Sequence, residues 1–151
     1  MLRQASLVAS LSLFAFVTTF VVADDKEKKE FKATCPVAKK PAKEDKTAEY
    51  KGGKVYFCCA NCPKAFAKDT AKYAARANMQ LAQTGQAEQG KCPFSGGELN
   101  KDTKIKVGDA EVAFCCEKCQ AKAEKATGDE QLELVWGDKA FDTAFTVKAA
   151  K

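Results

Sequence analysis

The sequence predicts an α+β protein made of two small units in tandem, each containing a cysteine turn, a β-hairpin and a helix. Its eight cysteines fall into two quartets of the same spacing. A β-prone segment with a glycine turn precedes each Cys-Cys-x-x-Cys motif, and a segment rich in alanine and lysine follows it. These observations together predict that one structural unit occurs twice.

Each unit reads Cys, 22 residues, Cys-Cys-x-x-Cys, and equivalent cysteines are 57 residues apart (92 − 35 and 119 − 62). A single offset without insertion indicates a duplicated unit. The candidate site residues are Cys35, Cys58, Cys59 and Cys62 in the first unit, and Cys92, Cys115, Cys116 and Cys119 in the second.

The beginning of the chain has the layout of a secretory signal peptide. Arg3 precedes an apolar run over residues 7–22, and Ala23 provides a small residue for cleavage. An uncleaved signal anchor is the alternative, because the run is just shorter than a membrane span. We therefore expect an exported protein, in the periplasm or at the cell surface, with no membrane contact apart from this segment.

The order of segments follows from these features and from shifts in composition. We predict a signal peptide (1–23), a charged tether (24–32), a first unit (33–85), a linker (86–90), a second unit (91–128) and a C-terminal tail that packs on the core (129–151).

Both units carry a hairpin pattern, because two β-prone arms flank residues that tolerate positive φ. The predicted turns are Gly52-Gly53 and Gly108-Asp109. In the first unit a long helical segment follows over residues 64–83, and Asp69-Thr70 is a point where it can divide into two helices. The helix of the second unit, residues 117–127, is shorter.

The tail contains two hydrophobic patterns. Leu132, Leu134 and Trp136 alternate with other residues, which is typical of a strand, whereas Phe141 and Phe145 are spaced for one helical face.

Composition argues against several functions. The formal net charge of +5 is spread over interleaved lysines and acids, and Arg76 is the only arginine after the signal segment. We therefore expect no nucleic-acid partner, since a basic stripe with interleaved aromatic residues is absent. No hydrolytic or phosphate-binding motif stands out, so a non-catalytic protein is predicted.

Cysteine chemistry is the most informative feature of the sequence. Cysteines three or four residues apart can place their thiols at a turn from strand to helix, and the hairpin can bring the first cysteine back to face them. The chain contains no histidine, which leaves sulfur as its soft ligand. Thiolate clusters suit zinc or copper(I), about one ion per repeat, with all eight cysteines as candidate ligands.

Two other states of the cysteines are compatible with the pattern. An exported chain with an even number of cysteines can be stapled by disulfides and serve as a structural or interaction module. A thiol–disulfide oxidoreductase is the third reading, because Cys59 with Cys62 and Cys116 with Cys119 have redox-motif spacing at a helix start.

Several residues resemble the pattern of the YHS/TRASH superfamily of metal-binding domains, in which one cysteine is followed after about twenty residues by Cys-x3-Cys. The matching residues are Cys35-Pro36-Val37, Gly53, Val55-Tyr56-Phe57-Cys58, Cys62, Phe66 and Lys72-Tyr73. The tandem arrangement is similar to that of exported bacterial proteins of planctomycete type. The resemblance implies small treble-clef or zinc-ribbon-like units that buffer, traffic or sense metal, with a metal transporter or another exported protein as partner.

The chain also departs from this family. Relatives with four ligands have a second cysteine three residues after the first, where this chain has Ala38 and Ser95. Ala123 stands where the first repeat has Phe66, so a weaker hydrophobic plug is expected in the second unit. Cys59 and Cys116 are additional cysteines that can serve as fourth ligands, as core residues or as reactive thiols.

Overall fold

A computed structural model describes residues 31–148. The predicted signal peptide and residues 24–30 of the predicted tether lie outside the described residues. Within the described range, no helix combines the length and the apolar character needed to cross a membrane.

The architecture is mixed α+β, with two units that each contain a cysteine cluster, a β-hairpin and helices, as the sequence predicts. Within residues 31–148 the strands form three two-stranded antiparallel sheets, β1–β2, β3–β6 and β4–β5. The elements are β1 (Lys43–Tyr50), β2 (Gly53–Phe57), α1 (Asn61–Lys68), α2 (Thr70–Gln83), β3 (Ala87–Gln89), β4 (Asn100–Val107), β5 (Ala110–Phe114), α3 (Glu117–Lys125), α4 (Gly128–Trp136), α5 (Asp138–Ala144) and β6 (Phe145–Val147).

The first hairpin turns one residue earlier than predicted. Tyr50 pairs with Gly53, so the turn residues are Lys51 and Gly52, with φ of 50° and 83°. Two successive positive φ values match the right-handed twist of hairpin strands. Gly53 lies instead in β2, where an added Cβ would come within 2.8 Å of Leu81 Cδ2. Gly53 therefore allows β2 to pack closely on α2, and a larger residue would displace the Leu81 side chain.

The second hairpin turns at Gly108-Asp109, as predicted, because Val107 pairs with Ala110. Gly108 has φ of 65°, and a Cβ at this position would collide with the sulfur of Met79. The turn of the second hairpin therefore packs closely on α2 of the first unit.

The division of the long helical segment into α1 and α2 is confirmed. Asp69 leaves the helical conformation, with φ of −149°, and its carboxylate accepts a 3.2 Å hydrogen bond from the N–H of Lys72. Asp69 thereby satisfies one of the unpaired N–H groups in the first turn of α2.

The predicted strand around Leu132 is wrong, since this segment forms α4. Val135 is fully buried, as is Trp136, and Leu132 packs against the core. These three residues are related by i, i+3 and i+4 spacing, which is the helical period. The strand prediction rested on the alternation of Leu132, Leu134 and Trp136 and did not take Val135 into account. Because Val135 and the adjacent Trp136 are both fully buried, a strand with one buried face is excluded.

Helix α2 is packed between the two hairpins and the C-terminal helices, contacting β2, β5, α4 and α5. Its buried residues include Ala77, Met79 and Leu81. Trp136 of α4 is fully buried and donates through Nε1 to the carbonyl of Val107 at 3.2 Å. One connected hydrophobic core therefore joins the two units and the tail helices.

The remaining sheet is made of segments distant in sequence. Strand β3 lies within the predicted linker and pairs with β6, so that Gln89 is opposite Phe145. Phe145 begins β6 and does not extend α5, while its ring stacks on that of Phe141 with a centroid distance of 5.1 Å.

Two glutamine amides pair with backbone groups on the open edges of the hairpins. Gln80 accepts from the N–H of Tyr56 at 2.7 Å and donates to its carbonyl at 2.8 Å. Gln89 does the same for Ala113, at 2.9 and 2.7 Å. Tyr56 and Ala113 are equivalent positions (113 − 56 is 57), although the glutamines come from different elements. Each amide therefore substitutes for a neighbouring strand.

Replacing Gln80 by alanine is expected to lower the free energy of unfolding by about 2 kcal/mol, because the partly buried backbone groups of Tyr56 lose their partners. Urea unfolding followed by circular dichroism, at fixed metal and reductant concentrations, measures this change. The control is Gln120→Ala, which removes an amide that bonds Glu124 on the same helix. Equal midpoints for the two variants would contradict the role given to Gln80.

A polar network connects the first hairpin to the tail helices. Lys51 Nζ lies 2.9 Å from Asp138 Oδ1 and 2.5 Å from Asp142 Oδ1. Tyr50 Oη and Asn78 Nδ2 both donate to Asp138 Oδ1 at 3.1 Å. Partial burial raises the pKa of the Asp138 carboxyl, but hydrogen bonds from Lys51 and Asn78 outweigh burial, so the pKa lies below its ordinary value of 3.8.

This network predicts a specific loss of stability in acid. Because folding lowers the pKa of Asp138, its stabilising contribution is complete above its ordinary value of 3.8 and is lost as the pH falls further. Unfolding free energy measured from pH 5 to pH 2 should therefore fall less steeply for Asp138→Asn than for the wild type. Lys51→Met should also reduce the part of the unfolding free energy that is lost in acid, since it removes the cation that pairs with Asp138. Parallel pH profiles for all three proteins would contradict this assignment.

Candidate metal centres

The first cysteine of unit 1 lies in a tight backbone turn. Cys35 N donates to the carbonyl of Lys40 at 2.8 Å, and Lys39 N donates back to the carbonyl of Cys35 at 2.9 Å. Lys39 has φ of 55°, and a bridge between Thr34 and Pro41 closes the base of the turn. This geometry directs several backbone N–H groups toward the Cys35 sulfur.

The second unit repeats this turn. Cys92 N donates to Gly97 O at 2.9 Å, and Gly96 N donates to Cys92 O at 2.8 Å. Each of these residues is 57 positions beyond its counterpart in unit 1. The residue with positive φ is here Gly96, at 67°, which adopts this conformation without steric cost. The duplication therefore extends to individual backbone hydrogen bonds.

The other cysteines are placed by the junction between strand and helix. Cys58 directly follows β2, and Cys62 lies in the first turn of α1. Cys115 and Cys119 hold the same positions after β5 and in α3. The hairpin carries the strand end back toward the cysteine turn, so three thiols of each unit converge.

In each unit three sulfurs lie within 4.8 Å of one another: Cys35, Cys58 and Cys62, and Cys92, Cys115 and Cys119. We call these groups triad 1 and triad 2. The Cys58–Cys62 sulfur distance is 3.6 Å and the Cys115–Cys119 distance is 3.7 Å. Tetrahedral zinc with bonds of about 2.3 Å to sulfur separates its ligands by about 3.8 Å. The triads therefore fit a single thiolate-bound ion.

Backbone dipoles favour ionisation of the deepest cysteine of triad 1. Cys35 is fully buried, which raises the pKa of its thiol. Hydrogen bonds from the N–H groups of Ala38, Cys58 and Val37 outweigh this effect, and the pKa is lowered overall.

The equivalent sulfur of triad 2 has an additional donor. Burial raises the pKa of Cys92, but the Ser95 hydroxyl and the N–H groups of Phe94, Cys115 and Ser95 lower it to about 6. The hydroxyl of Ser95 has one proton, which it donates to the sulfur of Cys115 at 3.1 Å or shares with that of Cys92. Ala38 occupies this position in unit 1, so the two triads differ in their surrounding hydrogen bonds.

The cysteines at the helix starts, Cys62 and Cys119, have raised pKa values instead. Burial and the neighbouring thiols of Cys59 and Cys58 raise the pKa of Cys62. Burial and the thiols of Cys115 and Cys116 raise the pKa of Cys119 to about 12. Without a cation, each cluster therefore keeps a proton on its helix cysteine, and a bound metal would displace that proton.

The two additional cysteines lie at the rim of the triads. Cys59 is exposed, with its sulfur 3.4 Å from that of Cys62, and Cys116 is half-buried, with its sulfur 3.7 Å from that of Cys115. The Cys62 thiol and backbone N–H groups lower the pKa of Cys59 to about 7. The N–H of Cys119 and the Cys115 thiol lower the pKa of Cys116.

The structure thus brings six of the eight predicted ligands into two groups of three. A ligand role for Cys59 and Cys116 stays a prediction. Sequence reasoning identified Ser95 only as a place where a cysteine is missing, and did not foresee its hydroxyl as a donor to Cys115. The sequence feature that could have indicated this role is the position of Ser95 three residues after Cys92.

Aromatic rings support both clusters. In unit 1 the Phe66 ring packs on Phe57 with a centroid distance of 5.5 Å. In unit 2 Ala123 replaces that phenylalanine, but Phe94 packs on Phe114 at 5.4 Å, and Phe114 is the counterpart of Phe57. In unit 2 the strand residue Phe114 is therefore covered by Phe94 of the cysteine turn, whereas in unit 1 its counterpart is covered by Phe66 of helix α1.

Comparisons of the chain with protein-family models, with curated proteins and with solved structures give no significant match.

Accessibility and ionisation together predict the order of thiol alkylation in reduced, chelator-treated protein. Cys59 should react first with iodoacetamide near pH 7, because it is exposed and its pKa is lowered to about 7. Cys35 and Cys92 should react last, because both are fully buried although their pKa values are also lowered.

Peptide mapping by mass spectrometry over a time course measures this order. Alkylation of Cys35 or Cys92 before Cys59 would contradict the burial of the two turn cysteines and the exposure of Cys59.

Proposed function

We propose that this protein is a non-catalytic metal-binding protein that holds one soft metal ion in each unit, zinc or copper(I), for buffering, trafficking or sensing. The observation that carries the proposal is the convergence of three thiols in each unit within 4.8 Å of one another. Two clusters built by equivalent residues indicate that this convergence is a property of the repeated unit and not a chance contact.

The donor set supports a soft ion. Each triad supplies only sulfur, and thiolates select zinc and copper(I) over harder cations. Thiolate zinc sites of structural type have four ligands, whereas a triad leaves one coordination position for a further thiol, a water or a partner's ligand. This incomplete set favours an ion that is exchanged over one that only stabilises the fold.

The family and the location belong to the same proposal. The spacing Cys-x22-Cys-x3-Cys, with a cysteine turn, hairpin and helix, supports membership of the YHS/TRASH superfamily. The layout of residues 1–23 supports export to the periplasm or cell surface. In that setting the ion would pass to or from a metal transporter or another exported protein.

A second candidate function is thiol–disulfide exchange. It is favoured by the exposed Cys59, whose sulfur lies 3.4 Å from that of the buried Cys62 at a helix start. Such a pair, with one accessible thiolate, is typical of redox motifs. Turnover in an insulin-reduction assay would support this candidate.

Metal content is the direct test. Anaerobically purified, reduced protein loaded with zinc and desalted should retain about two equivalents, measured by elemental analysis. Cys35→Ala and Cys92→Ala should each reduce this to about one equivalent, because each removes a buried member of one triad. Retention should decline in acid, since protons compete for the thiolates.

The matched control is Ala38→Ser, which changes the cysteine turn of unit 1 to the residue found in unit 2 without removing a sulfur. It should leave the zinc content unchanged. A protein without retained metal and without titratable thiols would contradict the proposal and favour the disulfide-stapled module.

A further inference from the structure

The two cysteines outside the triads, Cys59 and Cys116, occupy equivalent positions in the two units. Cys59 and Cys116 directly follow the strand-end cysteine of each triad, yet neither belongs to the group of three sulfurs that converge. Cys59 is exposed and Cys116 half-buried, while the first cysteines of both triads are fully buried. Cys59 therefore lies between solvent and triad 1, whereas Cys116 lies at the half-buried edge of triad 2, beside Cys115 and Cys119 of similar exposure.

We propose that Cys59 and Cys116 are exchange ligands, which receive a metal ion from an incoming donor, pass it to the adjacent triad, and take it back on release. This inference rests on the proposed metal-binding function and assigns these two residues a kinetic role. The ion enters triad 1 through Cys62 and triad 2 through Cys115.

The sulfur distances make the transfer feasible. Two thiolates that bind one zinc ion lie about 3.8 Å apart or closer. The Cys59–Cys62 sulfur distance is 3.4 Å and the Cys116–Cys115 distance is 3.7 Å. An ion held by a rim thiolate can therefore bond to a triad thiolate before the first bond breaks.

The step is a ligand substitution without oxidation or reduction. A bond between the rim sulfur and the metal forms as a bond between the donor and the metal breaks, and the rim thiol releases its proton to solvent. Metal–sulfur bonds to the three triad thiols then form one after another as these thiols lose their protons to solvent and the remaining donor–metal bonds break. The rim–metal bond breaks last, and the rim sulfur takes a proton back from solvent. The donor is any small chelator or carrier that binds the same soft ion reversibly.

An exchange ligand has a thermodynamic signature that separates it from a resident ligand. Because it takes part in both directions of transfer, removing it slows uptake and release by the same factor and leaves the equilibrium constant unchanged. Removing a resident ligand instead weakens binding at equilibrium and speeds release.

The test uses zinc and the chromogenic chelator 4-(2-pyridylazo)resorcinol as both donor and acceptor. In the double variant Cys59→Ala/Cys116→Ala, transfer in both directions should slow by about 10-fold or more, which corresponds to about 1.4 kcal/mol in the barrier. The equilibrium competition curve should overlay that of the wild type. The control, Ala60→Ser/Glu117→Gln, alters the next residue in each unit and should transfer zinc at the wild-type rate.

Three results would overturn the inference. Wild-type transfer rates in the double variant would remove the kinetic role while leaving the proposed function intact, since two zinc ions would still bind. Faster release with weaker equilibrium binding would make the rim thiols resident ligands. Wild-type protein that binds no zinc would refute the proposed function and this inference together. Because Cys59 is exposed, the single Cys59→Ala variant gives the same comparison for unit 1 if the double variant has a lowered melting temperature.

Discussion

Three thiols held within 4.8 Å of one another are the constraint on which each unit depends. Three thiolates at this separation repel one another, so the cluster must either keep protons or bind a cation. The fold shifts the pKa values of the turn and helix cysteines in different directions. Burial raises the pKa of the turn cysteines, but backbone N–H groups at Cys35, and the Ser95 hydroxyl with backbone N–H groups at Cys92, outweigh it and lower the pKa of both. Burial and neighbouring thiols raise the pKa of the helix cysteines. A soft cation would remove the repulsion among the thiolates in both units.

The elements that create this convergence were largely predictable from the sequence, because they depend on local chemistry. A glycine turn between β-prone arms specifies a hairpin, and Asp69 specifies the start of a second helix. The common offset of 57 residues identified which thiols are equivalent. The first turn lies at Lys51 and Gly52, one residue earlier than predicted, and the close approach of Gly53 to Leu81 of α2 leaves no mark in the local sequence.

What the sequence could not predict depends on contacts between distant segments. The pairing of β3 with β6 leaves no local pattern, and α4 resembled a strand until Val135 was seen to be buried. The glutamines that bond the hairpin edges look like ordinary polar helix or loop residues. Gln86 is a third example, accepting from Lys54 N and donating to Lys54 O, both at 2.7 Å. Their role can be recognised only in the folded structure, where each amide bonds backbone groups of a hairpin strand.

X-ray absorption spectroscopy of protein loaded with zinc or copper(I) would identify the atoms that bind the metal. We expect the atoms nearest the metal to be sulfur, with zinc–sulfur distances of about 2.3 Å and at least three sulfur atoms per ion. Loss of this sulfur coordination in a variant lacking Cys35 and Cys92 would link it to the two triads. Oxygen or nitrogen atoms nearest the metal, with no sulfur scattering, would exclude metal binding by the two thiol triads.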